Sequence, residues 1–255
     1  MFDSFSRGRY ATDASFYQMM PVGVIIPKNI DDIEACISVA KSDSISILAR
    51  GGGTSQCGQT VNNSLVIDNT KYLNRILELD VENARCIVEP GIVLDELNRV
   101  LKPHGLWFPV DVSTASRATI GGMAGNNSCG GRSIRYGIMR DNVISIDAIL
   151  ANGVKKHFGI TEETTQAHCQ LRSNMLSLGQ KNADEIAKRF PDVMRRVGGY
   201  NIDALTPNAA PNNLAHLLVG SEGTLAFSTA IELKLSKLVT NKVMGLCHFP
   251  TFYQA

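Results

Sequence analysis

The run Ala118-Thr119-Ile120-Gly121-Gly122-Met123-Ala124-Gly125-Asn126-Asn127-Ser128-Cys129-Gly130-Gly131 decides how this chain is read. From Thr119 to Gly131 it holds five glycines, one alanine, one threonine and one serine. Little side-chain bulk stands off a partner, so the segment reads as glycine-rich turns around Met123–Asn127, lying flush against a flat, extended ligand. Asn126, Asn127 and Ser128 supply amide and hydroxyl groups for phosphate, ribose or heterocycle edges. A glycine loop with a purely structural role rarely combines this length with this polar content, which favours a ligand.

Upstream lies a second cluster, Arg50-Gly51-Gly52-Gly53-Thr54-Ser55-Gln56-Cys57-Gly58-Gln59, directly after strand texture at Ile45–Ala49. Successive glycines after a strand let the backbone curl with its N–H groups inward, a nest for an anion; a plain glycine turn with solvent-facing hydroxyls stays open on this loop alone. Two better-known phosphate loops are excluded. A P-loop needs a lysine that Gly51–Gly58 lacks, and the dinucleotide fingerprint G-x-G-x-x-G fails at Gln56 from Gly51 and at Ser55 from Gly53. A third, weaker signal is Gly220-Ser221-Glu222-Gly223-Thr224-Leu225, a tight turn before the last strand texture, or simply a turn with a capping serine.

Outward from these loops, Val22–Ile26 predicts a strand, and Ile30, Ile33, Ile37 and Ala40 a helix capped by Asn29 or Asp31. Leu65–Ile67 and Arg85–Val88 read as strands, Val81–Asn83 as a turn, and Leu94, Leu97, Val100 and Leu101 stripe a helix that stops at Pro103. Val143–Leu150, Asn152-Gly153 and Val154–Phe158 predict a hairpin. Glu162–Leu178 and Lys181–Val197 read as two helices, the second with Ile186, Phe190, Val193 and Val197 on one side. Leu225–Phe227, Ile231–Leu235 and Val243–Phe249 read as strands. The fold class expected is α+β: a small α/β subdomain over 1–105, a larger, mostly antiparallel sheet subdomain over 106–245 with a helical insertion at about 161–212, and the start of a further unit at 246–255.

The 255 residues are 44% hydrophobic, enough for a real core, and the formal net charge is +1. No basic face points to nucleic acid and no acidic run marks a charged tail. The six cysteines form no C-x-x-C pair, which removes the usual zinc, thioredoxin and local iron–sulfur readings. The five histidines, His104, His157, His168, His216 and His248, show no metal-binding pairing. No apolar run spans a bilayer and the start MFDSFSRGRY has no secretory h-region. A cytoplasmic chain is expected, with peripheral attachment at the inner membrane face as the alternative.

Six ordered motifs now carry a resemblance: RGGGTSQCGQ at 50–59, VEPG at 88–91, GLWFP at 105–109, ATIGGMAGNNSCGG at 118–131, RYG at 135–137 and GSEGTL at 220–225. In order and spacing the chain resembles the FAD-binding domain of the vanillyl-alcohol-oxidase or PCMH type. The texture is similar to FAD-linked D-lactate and D-2-hydroxyglutarate dehydrogenases, including glycolate oxidase subunits. The opening Gly8-Arg9-Tyr10-Ala11-Thr12-Asp13-Ala14-Ser15 resembles the long bacterial members with a C-terminal iron–sulfur region.

That resemblance implies FAD between the two subdomains. Gly51, Gly52, Gly53, Thr54 and Ser55 would wrap the pyrophosphate, with Arg50 among the cofactor-binding residues and Gly58 and Gln59 toward the flavin. Pro109, Asp111, Gly121, Gly122, Asn127, Ser128 and Gly130 would line the rest, with Tyr136 and Gly137 closing a turn. Glu222, Gly223 and Ile231 would approach the adenine or ribose. Gly51–Thr54 holds no histidine of the kind that attaches flavin in some relatives, so non-covalent FAD is expected. The implied reaction moves a hydride from a D-2-hydroxy acid to the flavin, giving the 2-oxo acid, with a downstream electron acceptor. A cap domain with catalytic residues and a divalent metal, and an iron–sulfur region, would lie in a remainder beyond this chain, which alone would be inactive. No catalytic residue is named. The alternatives are a non-catalytic FAD- or nucleotide-binding module and a reductase of the same fold.

Overall fold

A computed structural model describes residues 1–160, 166–241 and 243–255, with the side chains of 166–169 left undescribed. The helices are α1 (Ser4–Gly8), α2 (Ile30–Ser42), α3 (Leu94–Leu101), α4 (Ile120–Asn126), α5 (Ser133–Tyr136), α6 (Gln166–Lys181), α7 (Ala183–Arg189) and α8 (Ala215–Leu218). The strands are β1 (Gly23–Ile25), β2 (Ile47–Arg50), β3 (Leu65–Asp68), β4 (Ile76–Asp80), β5 (Arg85–Val88), β6 (Leu106–Trp107), β7 (Val143–Ile149), β8 (Lys155–Phe158), β9 (Phe227–Lys234) and β10 (Ser236–Lys237).

The first sheet is parallel, in the order β1-β3-β2. Helix α2 covers it because Ile33, Cys36, Ile37 and Ala40 recur at helical spacing and are all buried. Asn29 caps its start by accepting from the Asp32 N–H at 3.0 Å, and Asp31 and Asp32 suit the positive end of the helix. The second sheet is antiparallel, in the order β4-β5-β9-β7-β8. Helix α3 lays Leu94, Leu97 and Leu101 onto a core shared with Val88, Phe108, Ile231 and Leu233. Ile149 of β7 and Phe227 of β9 pack with α2 and β3, so the two sheets meet through a common apolar layer.

Several expectations change. The subdomain limit at residue 105 does not follow the sheets, because β4 and β5 pair into the antiparallel sheet through β9. β4 itself was not expected, and Leu225 precedes the continuous strand β9. The helix expected over 181–197 ends at Phe190, which is extended at φ −73° and ψ 122° because Pro191 follows. Val193 and Val197 therefore lie on irregular chain. The expected helix start at Glu162 lies outside the described residues, and the described helix runs from Gln166 to Lys181. Val243–Phe249 forms no strand; Val243, Met244 and Leu246 are exposed.

The largest correction concerns the opening motif. Residues 120–126 are helical rather than glycine turns, because Thr119 caps the start and Ile120, Met123 and Ala124 fall on one buried face. Three glycines in seven residues each cost about 1 kcal/mol relative to alanine in a helix interior. Tertiary packing offsets that: a Cβ on Gly121 would lie 2.6 Å from the Pro90 side chain, so only glycine lets the helix sit on the chain after β5.

Candidate functional site

Three segments converge between the sheets: the loop after β2, the glycine side of α4, and the turn Gly220–Gly223. They enclose a continuous cleft. One part has about 730 Å³ of open space, bounded by Arg50, Gly51, Asn69, Pro90, Gly121, Gly125 and Glu222 among others. The adjoining part, about 1070 Å³, is bounded by Gly51–Cys57, Val112–Thr114, Thr119, Gly122 and Asn126–Cys129. Both parts share Gly51, Ser55, Gln59, Thr60, Thr119 and Gly122.

The loop owes its glycines to the segment behind it. A Cβ on Gly52 would stand 2.2 Å from the Arg117 carbonyl oxygen, and one on Gly51 would collide with Thr119 Oγ1. Gly53 and Gly58 have φ of +63° and +79°, where side chains other than glycine are strained. Beneath Gly53 lies Arg50. Its guanidinium donates to the carbonyls of Tyr10 (3.0 Å), Thr60 (2.9 Å) and Thr12 (2.7 Å). Arg50 is thus a buried charge under the loop, engaged by protein carbonyls, and burial pulls its pKa down against the opposing pull of Asp13 and Asp68.

Helix α4 ends in a Schellman arrangement: Ser128 N–H donates to Met123 O at 3.0 Å and Asn127 N–H to Ala124 O at 3.1 Å. Asn127 occupies the left-handed position at φ 50°, which asparagine tolerates. The turn Gly220–Gly223 docks here, Gly220 N–H donating to Ala124 O and Glu222 N–H to Gly125 O, both at 2.9 Å. Burial pushes the Glu222 carboxyl up from its ordinary value, with the Gln59 side chain opposing.

Two buried polar atoms on the cleft wall lack partners: Asn69 Oδ1 and Asn127 Nδ2. The other end of Asn127, Oδ1, accepts from the Arg140 N–H at 3.1 Å, which fixes the amide with its NH₂ as the unsatisfied end. An unpaired buried group costs about 1–3 kcal/mol, so a ligand offering an acceptor to Asn127 and a donor to Asn69 would relieve both.

Among the residues expected at the site, Arg50, Gly51, Gly52, Gly53, Thr54, Ser55, Gln59, Gly121, Gly122, Asn127, Ser128, Glu222 and Gly223 border the cleft. Gly58, Pro109, Asp111, Gly130, Tyr136, Gly137 and Ile231 do not. Asp111 accepts from the Arg132 N–H at 3.0 Å and lies against Gly130, holding the loop after α4. Tyr136 stacks edge-on against Trp107 at 5.4 Å, Gly137 turns against Asp141, and Ile231 is sealed in the core. Sequence reasoning did not place Asn69, Pro90, Thr119, Ser221 and Ser228 on the wall; Thr119, as a cap-type residue before Ile120, carried a readable signal. Cys57 and Cys129 line the cleft, and no histidine is among its described lining residues. No described group of three His, Cys, Asp or Glu residues could hold a metal ion.

Residues 21–159 match the family described as FAD binding domain. The chain belongs to this family. It is 34% identical over 240 residues to D-2-hydroxyglutarate dehydrogenase of Haemophilus influenzae, covering 88% of this chain and 23% of that protein. The D-2-hydroxyglutarate dehydrogenase of Pseudomonas putida is 32% identical, with 99% and 26% covered. Glycolate oxidase subunit GlcD of Bacillus subtilis is 34% identical, with 92% and 42% covered. The chain thus spans about a quarter of the two dehydrogenases. In structure it is similar to alkyldihydroxyacetonephosphate synthase, with a TM-score of 0.65, 18% identity, and 94% of this chain and 41% of that chain covered. The α+β fold of this FAD-binding-domain family, with its parallel and antiparallel sheets, is the one the motifs implied. No described helix is long and apolar enough to cross a membrane.

Proposed function

We propose that the cleft binds one FAD non-covalently, and that the chain is the FAD-binding part of a flavin-linked dehydrogenase that oxidises a D-2-hydroxy acid, D-lactate or D-2-hydroxyglutarate, to the 2-oxo acid. The observation that carries the reading is the pair of unsatisfied amides, Asn69 Oδ1 and Asn127 Nδ2, on the wall of a cleft built from two glycine elements. The relatives' names supply the substrate class.

Gly51–Ser55 would take the diphosphate, with the Thr54 and Ser55 hydroxyls as donors and the Arg50 charge beneath. Asn127 would donate to a flavin or phosphate oxygen, and Asn69 would accept from a hydroxyl or ring N–H. Bound FAD would supply the two-electron acceptor for hydroxy-acid oxidation. The substrate-binding residues, the electron acceptor, any divalent metal and an iron–sulfur cluster belong, on this reading, to segments beyond these 255 residues.

Calorimetric titration of the 255-residue chain with FAD and with FMN tests the binding claim. FAD should bind more tightly, because FMN lacks the diphosphate and adenosine that the loop and the Glu222 turn address. Acid denaturation should release the flavin into the supernatant. Equal affinity for the two flavins, or flavin retained on the precipitate through Cys57 or Cys129, would sink the respective claim.

A further inference from the structure

We propose that residues 10–17 form a strap that sets the conformation of the Gly51–Gln59 loop, with Tyr10 and Asp13 as its positioning residues. The strap precedes the stretch that matches the family, residues 21–159. This inference rests on the FAD reading only where it speaks of affinity.

The strap is folded by its own bonds. The Met19 N–H donates to Ala11 O at 2.9 Å, Thr12 and Gln18 form an antiparallel bridge, and Asp13 Oδ1 accepts from the Ser15 N–H at 2.8 Å. From this closed loop it reaches both sides of the cleft. Two carbonyls, of Tyr10 and Thr12, receive the Arg50 guanidinium. The Ala14 N–H donates to Gly53 O at 3.1 Å, and Thr60 Oγ1 donates to Asp13 Oδ2 at 2.9 Å. Tyr17 lies so close to Gly58 that a Cβ there would stand 2.7 Å from its ring. On the other wall, Tyr10 Oη donates to Asp68 Oδ2 at 2.6 Å, one residue before the unsatisfied Asn69.

The Gly51–Gln59 loop has few bonds of its own among the described residues; Cys57 N–H to Gln59 Oε1 and Val61 N–H to Gly58 O are the ones that close it locally. Three successive glycines leave it many conformations, so the external bonds select the one that faces the cleft. Asp13 links strap and loop end through a charge-assisted bond to Thr60, both residues being half-buried.

The test uses the full 255-residue chain with Asp13→Ala, Asp13→Asn and Tyr10→Phe. Asp13→Ala should raise the FAD Kd about tenfold, the loss expected of a hydrogen bond to a charged group. Asp13→Asn keeps Oδ1 as acceptor for the Ser15 N–H and can donate from Nδ2 to Thr60 Oγ1, so it should stay within about threefold of the parent. Tyr10→Phe should weaken FAD in the same direction through Asp68 and Asn69. Millisecond hydrogen exchange on the FAD-free proteins provides a readout that needs no ligand. Amides of Gly51–Gln59 should exchange faster in Asp13→Ala and Tyr10→Phe, while those of β5, β7 and β9 stay as in the parent. Unchanged loop exchange in both variants would overturn the proposal. So would equal acceleration across the sheet, or an asparagine variant no better than alanine, since either marks a merely structural role. If the parent fails to bind FAD, the proposed function falls, and the exchange pattern still decides the strap.

Discussion

Replacing Gly52 with alanine should detach the cofactor loop without removing any group that touches FAD. A Cβ at Gly52 would lie 2.2 Å from the Arg117 carbonyl oxygen and 3.0 Å from its carbon. An ordinary carbon–oxygen contact is about 3.3 Å or longer, so the loop and the Arg117–Ala118 backbone must part by roughly 1 Å. Both sides are backbone, and neither can swing away as a side chain would. Overpacking of this kind costs about 1–3 kcal/mol. If that strain is relieved by the loop leaving its cleft-facing form, FAD affinity falls by roughly tenfold to a hundredfold. Valine should act in the same direction and more strongly, through the same collision with Arg117 rather than by filling phosphate space. Titration with FAD beside a thermal melt measures both effects, and Gly245→Ala, where nothing lies within 4 Å of the added carbon, is the silent control. A folded Gly52→Ala protein that binds FAD like its parent would refute the close-approach argument.

Gly125 of α4, unlike Gly121, should tolerate a side chain. On Gly125 an added Cβ meets nothing closer than 3.7 Å, so alanine there should raise FAD-free stability by up to about 1 kcal/mol while narrowing the cleft and weakening FAD; a melt that falls, or affinity that rises, contradicts this. His216 is held neutral, its pKa lowered first by burial and then by Arg140. Its contribution is therefore complete above the ordinary histidine value of about 6.5 and lost as pH falls toward the lower folded value. Denaturation at pH 7.5 and pH 5 should show that loss, and His216→Gln should flatten it; an unchanged slope would assign the effect elsewhere. The FAD-loaded chain alone should not bleach with D-lactate or D-2-hydroxyglutarate under anaerobic mixing, because the proposed function assigns the holding of substrate against flavin to other segments. Rapid bleaching would place the substrate site within these residues.

How far the sequence could be read depended on whether a signal was local. The α2 stripe, the Asn-Gly hairpin and the turn at Gly220–Gly223 each depend on neighbours in the chain, and each appears where its residues predict. Helix α4 was legible in part: Thr119 before Ile120, Met123 and Ala124 is a cap followed by a helical spacing. The glycines hid it, because their intrinsic preference opposes a helix that exists through packing on Pro90 and the core. Pro191 marked the end of α7 just as plainly, and the alternation in Ile76–Asp80 marked β4, but reading each demanded weighing it against a stronger neighbouring pattern. β4 and β5 pair with each other as chain neighbours, but their placement in the second sheet had no local signal, since β9, which pairs with β5, lies more than a hundred residues on.

The site separates in the same way. Glycines announce close approach, but not what approaches. At Gly52, Gly121 and Gly130 the neighbour is the chain itself: the Arg117 backbone, Pro90 and the Asp111 backbone. At Gly122 and Gly125 the space beside the helix is cleft. Asp111 accepts from the Arg132 N–H and Tyr136 stacks on Trp107, so both brace the loop after α4. The polar groups left without partners point the other way. Asn69 follows a parallel strand and Asn127 ends a helix, and no sequence pattern links them, yet the fold buries both beside one cleft with one acceptor and one donor unused. A protein that leaves two such groups unpaired loses stability unless something else satisfies them, so under the proposed function these two amides say more than the glycine count about what the cofactor would offer.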